Sequence, residues 1–267
     1  MSEAARAPTS GRVALPVNWA RRGGFIALGL YALYALSTLE ITLDRFIRGL
    51  GQGATFLARM WPPNLEPSKL TLLSQGMIES IQIAVLATFA GVLLSLPLGL
   101  LAARNLVPAG VSWLARGVIA LCRSFHPVIV AILFVKAVGF GALAGILALI
   151  VASMGFISKL FAEAIEEMNL KQVEAVRATG ATFWGVLVMG VLPQVMARFV
   201  GFAAYQLDSN LRNSTMVGIV GGGGIGATLF TAYQRFDYDF VLTILIVIIA
   251  VIMVSEIAST WLRRIFQ

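Results

Sequence analysis

The run QLDSNLRNST, residues 206–215, is a polar island in an apolar neighbourhood. It gathers Gln206, Asp208, Ser209, Asn210, Arg212, Asn213, Ser214 and Thr215 where polar groups cost free energy unless they face a cavity or one another. Such a cluster is predicted to line a path. Asp208 and Arg212 stand four apart, so they can pair on one helical face and leave the guanidinium partly neutralised. One moderated arginine among hydroxyl and amide donors suits brief contact with an anion, because a path that binds tightly releases slowly. The plainer alternative is a helix end exposed to lipid headgroups. Arg123 and Arg198 also lie within apolar runs, and a centrally placed arginine costs roughly 3 kcal/mol on insertion scales. Each is therefore expected to face protein, water or the interface. Arg123 is carried as a further pathway residue, and Arg198 is expected to pack against Glu79 or Gln82.

A second island, KLFAEAIEEMNLKQVEAVRATG, spans residues 159–180 and holds seven charged side chains in 22 residues. Its pattern predicts two short helical stretches joined near Met168 to Leu170, with Gly180 closing the second in a left-handed cap. Glu163, Glu166, Glu167 and Glu174 outnumber their local partners Lys171 and Arg177, so part of this surface is expected to stay free for a partner. Charge alone would also fit a solvated loop helix.

Other chemistry is poorly supplied. One cysteine, Cys122, and one histidine, His126, leave no disulfide framework and too few ligands for zinc. GGGGIG, residues 221–226, formally fits G-x-G-x-x-G, but no strand precedes it and no GK[ST] follows, so a nucleotide site is not expected. Gly221, Gly222, Gly223, Gly224 and Gly226 are instead expected to serve close backbone packing, or a hinge before a turn at Ala227 to Tyr233.

The elements that hold these islands are membrane spans. The chain is 58% hydrophobic and 12% charged with a mean hydropathy of +0.87, where soluble domains carry roughly 25% charge. The fold class is all-α and integral to a membrane. About 20 apolar residues are needed per crossing, and six runs qualify: 24–42, 81–103, 118–138, 143–160, 184–205 and 240–262. The count falls to five if the third, broken by Arg123 and His126, does not cross. The net charge of +7 is assigned to topology rather than to nucleic acid. An inside N-terminus puts 11 basic residues on the cytoplasmic side, Lys159 to Arg177 among them, against seven outside. Residues 1–23 then form a cytoplasmic tail, and 24–72 a first span and external connector. WPPNLEPS, residues 61–68, is a loop because its three prolines forbid helix, and the preceding 44–61 stretch has the spacing of a membrane-surface helix, with an ordered connector as the plainer alternative.

The stretch 173–195 resembles the signature of ABC importer permeases, EAA, three residues, G, nine residues, I, one residue, LP. Here Glu174, Ala175 and Val176 are followed at the same spacings by Gly180, Gly190, Leu192 and Pro193, with Val176 in place of alanine and Gly190 in place of isoleucine. Residues 206–240, 123–141 and 157–168 are in turn similar to phosphonate importer permeases, with methionine and glycine betaine permeases as relatives; His126 and Pro127 stand where a proline and a glutamate are usual. The resemblance covers roughly 73–266 and implies a type I (MetI-like) domain over 73–267 with coupling helices at 160–180. It implies that Glu163, Glu167, Glu174, Ala175, Gly180, Leu192 and Pro193 couple the spans to a separate ATPase. It also implies a bacterial inner-membrane chain with both termini cytoplasmic. Its partners would be a second copy, two ATPase subunits that hold ATP and magnesium, an extracytoplasmic binding protein and membrane lipid. The expected cargo is phosphonate, phosphite or phosphate. The competing readings are a methionine or glycine betaine permease and an intramembrane enzyme, against which stand the missing HExxH and the lone histidine. A passive channel would leave the acidic helix without a purpose.

Overall fold

A computed structural model describes residues 19–39 and 42–266, and the side chains of all of these except 20, 21 and 262–266. Most of the expected tail therefore lies outside the described residues, as do the side chains of Arg6, Arg12, Arg21, Arg263 and Arg264 that entered the topology argument. Among the described residues every regular element is helical. The chain divides into two compact units, 1–58 and 59–267.

In the first unit α1 (Trp19–Thr38) begins five residues earlier and ends four earlier than the expected span. The second helix, α2 (Leu43–Met60), carries Phe46, Ile47, Leu50 and Leu57 as exposed apolar side chains, with Arg48 paired to Asp44 on its polar side. This is the amphipathic spacing expected of the connector.

The second unit opens with the last residues of α2 and the loop through residues 61–66, where Pro62 and Pro63 stop the helix. It continues with α3 (Pro67–Ala102), α4 (Ala109–Ser124), α5 (Pro127–Val138), α6 (Ala142–Glu166), α7 (Leu170–Ala178), α8 (Phe183–Val186), a π-helical turn at Leu187–Val191, α9 (Leu192–Ile219), α10 (Ile225–Gln234) and α11 (Tyr238–Phe266). Among the described residues four helical stretches are by themselves long and apolar enough to cross a membrane: 67–102, 142–166, 183–219 and 238–261. The number rises to six only if two bent pairs, α1 with α2 and α4 with α5, each count as one span. The third expected span is the correction. It is not one helix but two, bent by 89°, because His126 and Pro127 open a new helix: the His126 Nδ1 accepts from the Val128 N–H, and Pro127 cannot donate into the preceding turn.

The core is built on α3 against α6, where small residues let backbones approach. A methyl group placed on Gly99 would stand 2.7 Å from Phe161 Cδ1, so only glycine admits that ring. Around Phe161, fully buried, gather Ile157, Ile165, Val191, Val195 and Phe199. A second cluster at the opposite end of α3 packs Leu73 and Met77 against Ile225, Phe240 and Ile244. The 61–66 loop is tied to the start of α11 by Asn64, whose amide donates to Asp239 at 2.8 Å, and Lys69 meets Asp237 at 2.8 Å.

Candidate functional site

The 206–215 island lies wholly inside α9, in the second half of a 37-residue apolar stretch. The helix sorts it into faces. Gln206, Asn210 and Ser214, four apart, point into the bundle. The Asn210 amide, with no exposed surface, donates to Thr88 Oγ1 on α3 at 2.9 Å and to Ser153 Oγ on α6 at 2.8 Å, while Gln206 donates to Ser153 Oγ and Asn210 Oδ1 at 3.0 Å. Asn210 therefore corrects the expectation that the whole island lines a path: with Gln206 it closes a satisfied polar lock between three helices, as buried polar groups in a membrane must, while Ser214, also buried, donates to the Leu211 carbonyl of its own helix at 2.7 Å. The signal was present in the i, i+4 spacing, but the partners Thr88 and Ser153 belong to distant helices.

The other faces remain open or half-open. Arg212 donates to Asp208 Oδ2 at 2.7 Å, as its spacing predicts, and is itself about half exposed. Asp208 is nearly buried and takes a second hydrogen bond, 2.9 Å, from Ser255 on α11. Asn213 and Thr215 are partly exposed, and Asn213 donates to Ser209. The island thus presents a cation with one neutralising carboxylate behind it. Arg123 is elsewhere, on α4 beside α6, and is not brought together with Arg212.

At one end of the bundle α6, α7 and the π turn make an elbow. Glu166 accepts from Arg116 at 2.7 Å and from the Arg104 N–H, Glu163 faces Lys159 at 3.5 Å, and Glu167 meets Arg198 at 3.0 Å. Arg198 thus bonds to the elbow, not to Glu79 or Gln82 as expected, because α9 passes the end of α6 at that height. The seventh helix starts on Asn169, whose side chain accepts from the Lys171 N–H, and ends before Gly180 at φ +79°, the left-handed cap expected. Its inner side, Val173, is buried, while Glu174 and Ala175 are exposed. Glu174 has no hydrogen-bond or ion-pair partner among the described residues.

Two features escaped sequence reasoning. The stretch before Pro193 is a π turn, in which the Leu192 N–H reaches back to the Leu187 carbonyl and Pro193 sits in the first turn of α9. Gln194 then clasps the elbow: its amide donates to the Gly190 carbonyl at 2.6 Å, and its Oε1 accepts from the Asn169 N–H at 3.1 Å. The two departures from the signature also meet. A methyl group on Gly190 would lie 3.6 Å from Val176 Cγ2 and 3.5 Å from Val173 Cα, so the valine occupies space that a larger residue at 190 would need. Neither position alone reveals the exchange.

At the other end Gly221, Gly223 and Gly224 all take positive φ. The loop they form is bonded on several sides: Gly221 accepts from Gly141 N–H, and the Ile225 N–H donates to Ser80 Oγ at 2.9 Å. A methyl group on Gly226 would collide with the Thr215 carbonyl oxygen. Close packing is therefore observed, and the expected turn at 227–233 is instead the helix α10. Beside it a cavity of about 420 Å³ is lined by Lys69, Thr228, Thr231, Arg235, Asp237 and Phe240.

Residues 95–267 match the family described as binding-protein-dependent transport system inner membrane components, and the chain belongs to that family. It is 41% identical over 206 residues to the phosphate-import permease protein PhnE of Mycolicibacterium smegmatis, covering 77% of this chain and 38% of that protein. It is 36% identical over 256 residues to the phosphite transport system permease protein PtxC of Stutzerimonas stutzeri, covering 94% and 92%. The fold is shared with the MetNI methionine ABC transporter in an inward-facing conformation, at a TM-score of 0.68 and 24% identity over 76% of this chain and all of that one. The all-α expectation and the type I importer fold are both met.

Proposed function

We propose that this chain is the membrane-spanning subunit of an ATP-driven importer that moves phosphonate, phosphite or phosphate into the cytoplasm. The relatives named for phosphate and phosphite support the cargo class. The observation that carries the mechanism is the elbow: a nine-residue helix whose valine side is packed into the bundle while an unpaired Glu174 faces away from it. A short helix held on one side and bare on the other can transmit a push. In this reading two ATPase subunits, holding ATP and magnesium, grip α7 of this chain and of a second copy. The π turn and Pro193 let α8 and α9 rock as the paired elbows close.

The elbow end is then cytoplasmic and the glycine-loop end external. The cavity beside Lys69 and Arg235 faces an extracytoplasmic binding protein, and Arg212 meets the anion in passing. Its bond to Asp208 keeps that contact weak. Catalysis of ATP hydrolysis belongs to the partner. In proteoliposomes with the ATPase and the binding protein, Arg212→Ala should lower phosphite or phosphate uptake at least tenfold with assembly intact, whereas unchanged uptake would remove Arg212 from the route. Calorimetry on the binding protein reads the cargo directly: tight binding of methionine and none of phosphorus oxyanions would replace the cargo assignment.

A further inference from the structure

Arg123 is a cation that the coupling and pathway roles leave unused. It sits in the last turn of α4, is exposed, and has no hydrogen-bond or ion-pair partner among the described residues. An arginine in that state within an apolar helix pair is unfavourable unless something supplies an anion. Its stem lies over Gly155 of α6, where an added methyl group would stand 2.9 Å from Arg123 Cγ and from Cys122 Cβ. Glycine at 155 thus seats the side chain against α6. The seat opens into a cavity of about 150 Å³ lined by Arg116, Arg123, Lys159, Ala102, Ile119 and Ala162.

Three cations line that wall and no carboxylate does. Glu166 draws one Arg116 nitrogen away at 2.7 Å, while its Nε donates to the Ala102 carbonyl at 3.0 Å, so Arg116 is fixed in place. Lys159 has only a 3.5 Å contact with Glu163 and stays 44% exposed. The net excess is the Arg123 charge, and its planar fork matches two oxygens of a tetrahedral oxyanion. Ala102 ends α3 and Lys159 lies one to two turns before the end of α6, so the cavity opens at the elbow end of the bundle.

We infer that the Arg116, Arg123 and Lys159 cavity is a phosphate-type oxyanion site, occupied by the headgroup of an anionic phospholipid or by the free anion leaving the protein. The free-anion source rests on the proposed import function; the lipid source does not. The chemistry is shared, because either ligand offers unshared phosphoryl oxygens to one guanidinium flanked by two further cations.

Two binding measurements on the full-length chain in nanodiscs separate the sources. Native mass spectrometry counts phosphatidylglycerol retained against phosphatidylcholine, and equilibrium binding of radiolabelled inorganic phosphate is read in discs of phosphatidylcholine alone. Arg123→Gln should lower binding in one arm by about tenfold, the loss of one charge-assisted bidentate contact, and Arg123→Lys should restore part of it. Loss in the first arm assigns the site to lipid, and loss in the second to the free anion. Lys159→Gln, which leaves the Arg116 and Glu166 pair alone, should weaken the same arm less. Wild-type binding in both arms by an Arg123→Gln chain that elutes as wild type would overturn the inference. Failure of the import reading shows differently, as absent oxyanion uptake by the wild type.

Discussion

The two ends of the bundle are held by different means. At the elbow, side chains do the holding: Glu166 to Arg116, Glu167 to Arg198, Gln194 across Asn169 and Gly190, and Val173 buried beneath α7. At the glycine loop backbone meets backbone, with Gly226 against the Thr215 carbonyl and Gly221 against Gly141, and one side chain, Ser80, joins by accepting from the Ile225 N–H. Side-chain bonds at a wet surface are each worth little and can be exchanged during a stroke. Backbone packing has no such slack. Under the proposed function the elbow is the end that trades contacts during a stroke, and the glycine loop moves as a block.

The comparison can be broken first at the loop. Gly226→Val should be the most damaging change, with a loss of roughly 3 kcal/mol or more from overpacking against a backbone that cannot retreat; thermal unfolding of the detergent-solubilised chain would read it, and a wild-type melting temperature would refute the packing. Next comes the three-helix lock. Asn210→Leu removes the amide bonds to Thr88 and Ser153, whose hydroxyls keep only their own-helix carbonyls and Gln206, and should cost about 1–3 kcal/mol, against an Asn210→Asp chain that keeps part of the network.

The elbow should respond in transport more than in stability. Gln194→Ala is expected to cost about 1 kcal/mol, yet to lower uptake per ATP hydrolysed several-fold by loosening α7 from the π turn; equal coupling ratios would show that the clasp is incidental. Gly190→Leu alone should weaken coupling, and adding Val176→Ala should restore part of it, because the second change vacates the space the first one fills. Smallest of all, Lys159→Gln should change stability by less than about 0.5 kcal/mol, since that exposed pair lies in high dielectric.

Local periodicity made much of this legible. The Asp208 and Arg212 pair and the Gly180 cap each depend on residues within four positions of one another, and each is found as expected, whereas the loop expected over 61–68 stops at residue 66 because Pro67, suited to a first helical position, opens α3. Hydropathy likewise located α6 and α11. What it could not supply were pairings between helices far apart in sequence. From its neighbours alone Asn210 belongs to a path, because its partners Thr88 and Ser153 lie 122 and 57 residues away. Arg198 finds Glu167 rather than α3 for the same reason, its partner lying 31 residues away. The 89° bend between α4 and α5 was half visible, since Pro127 and the short uncharged run marked a weak span without revealing its angle. The π turn left no sequence mark beyond Pro193.

The most direct test places one cysteine at Glu174 in a Cys122→Ser background and couples it to a cysteine panel on the surface of the ATPase subunit. The lever account predicts a crosslink to that subunit whose yield changes between nucleotide-free and ATP-bound states, and loss of ATP-driven uptake in Glu174→Lys with the chain still assembled. No crosslink at any panel position, or labelling of residue 174 by a membrane-impermeant thiol reagent added outside intact cells, would contradict it.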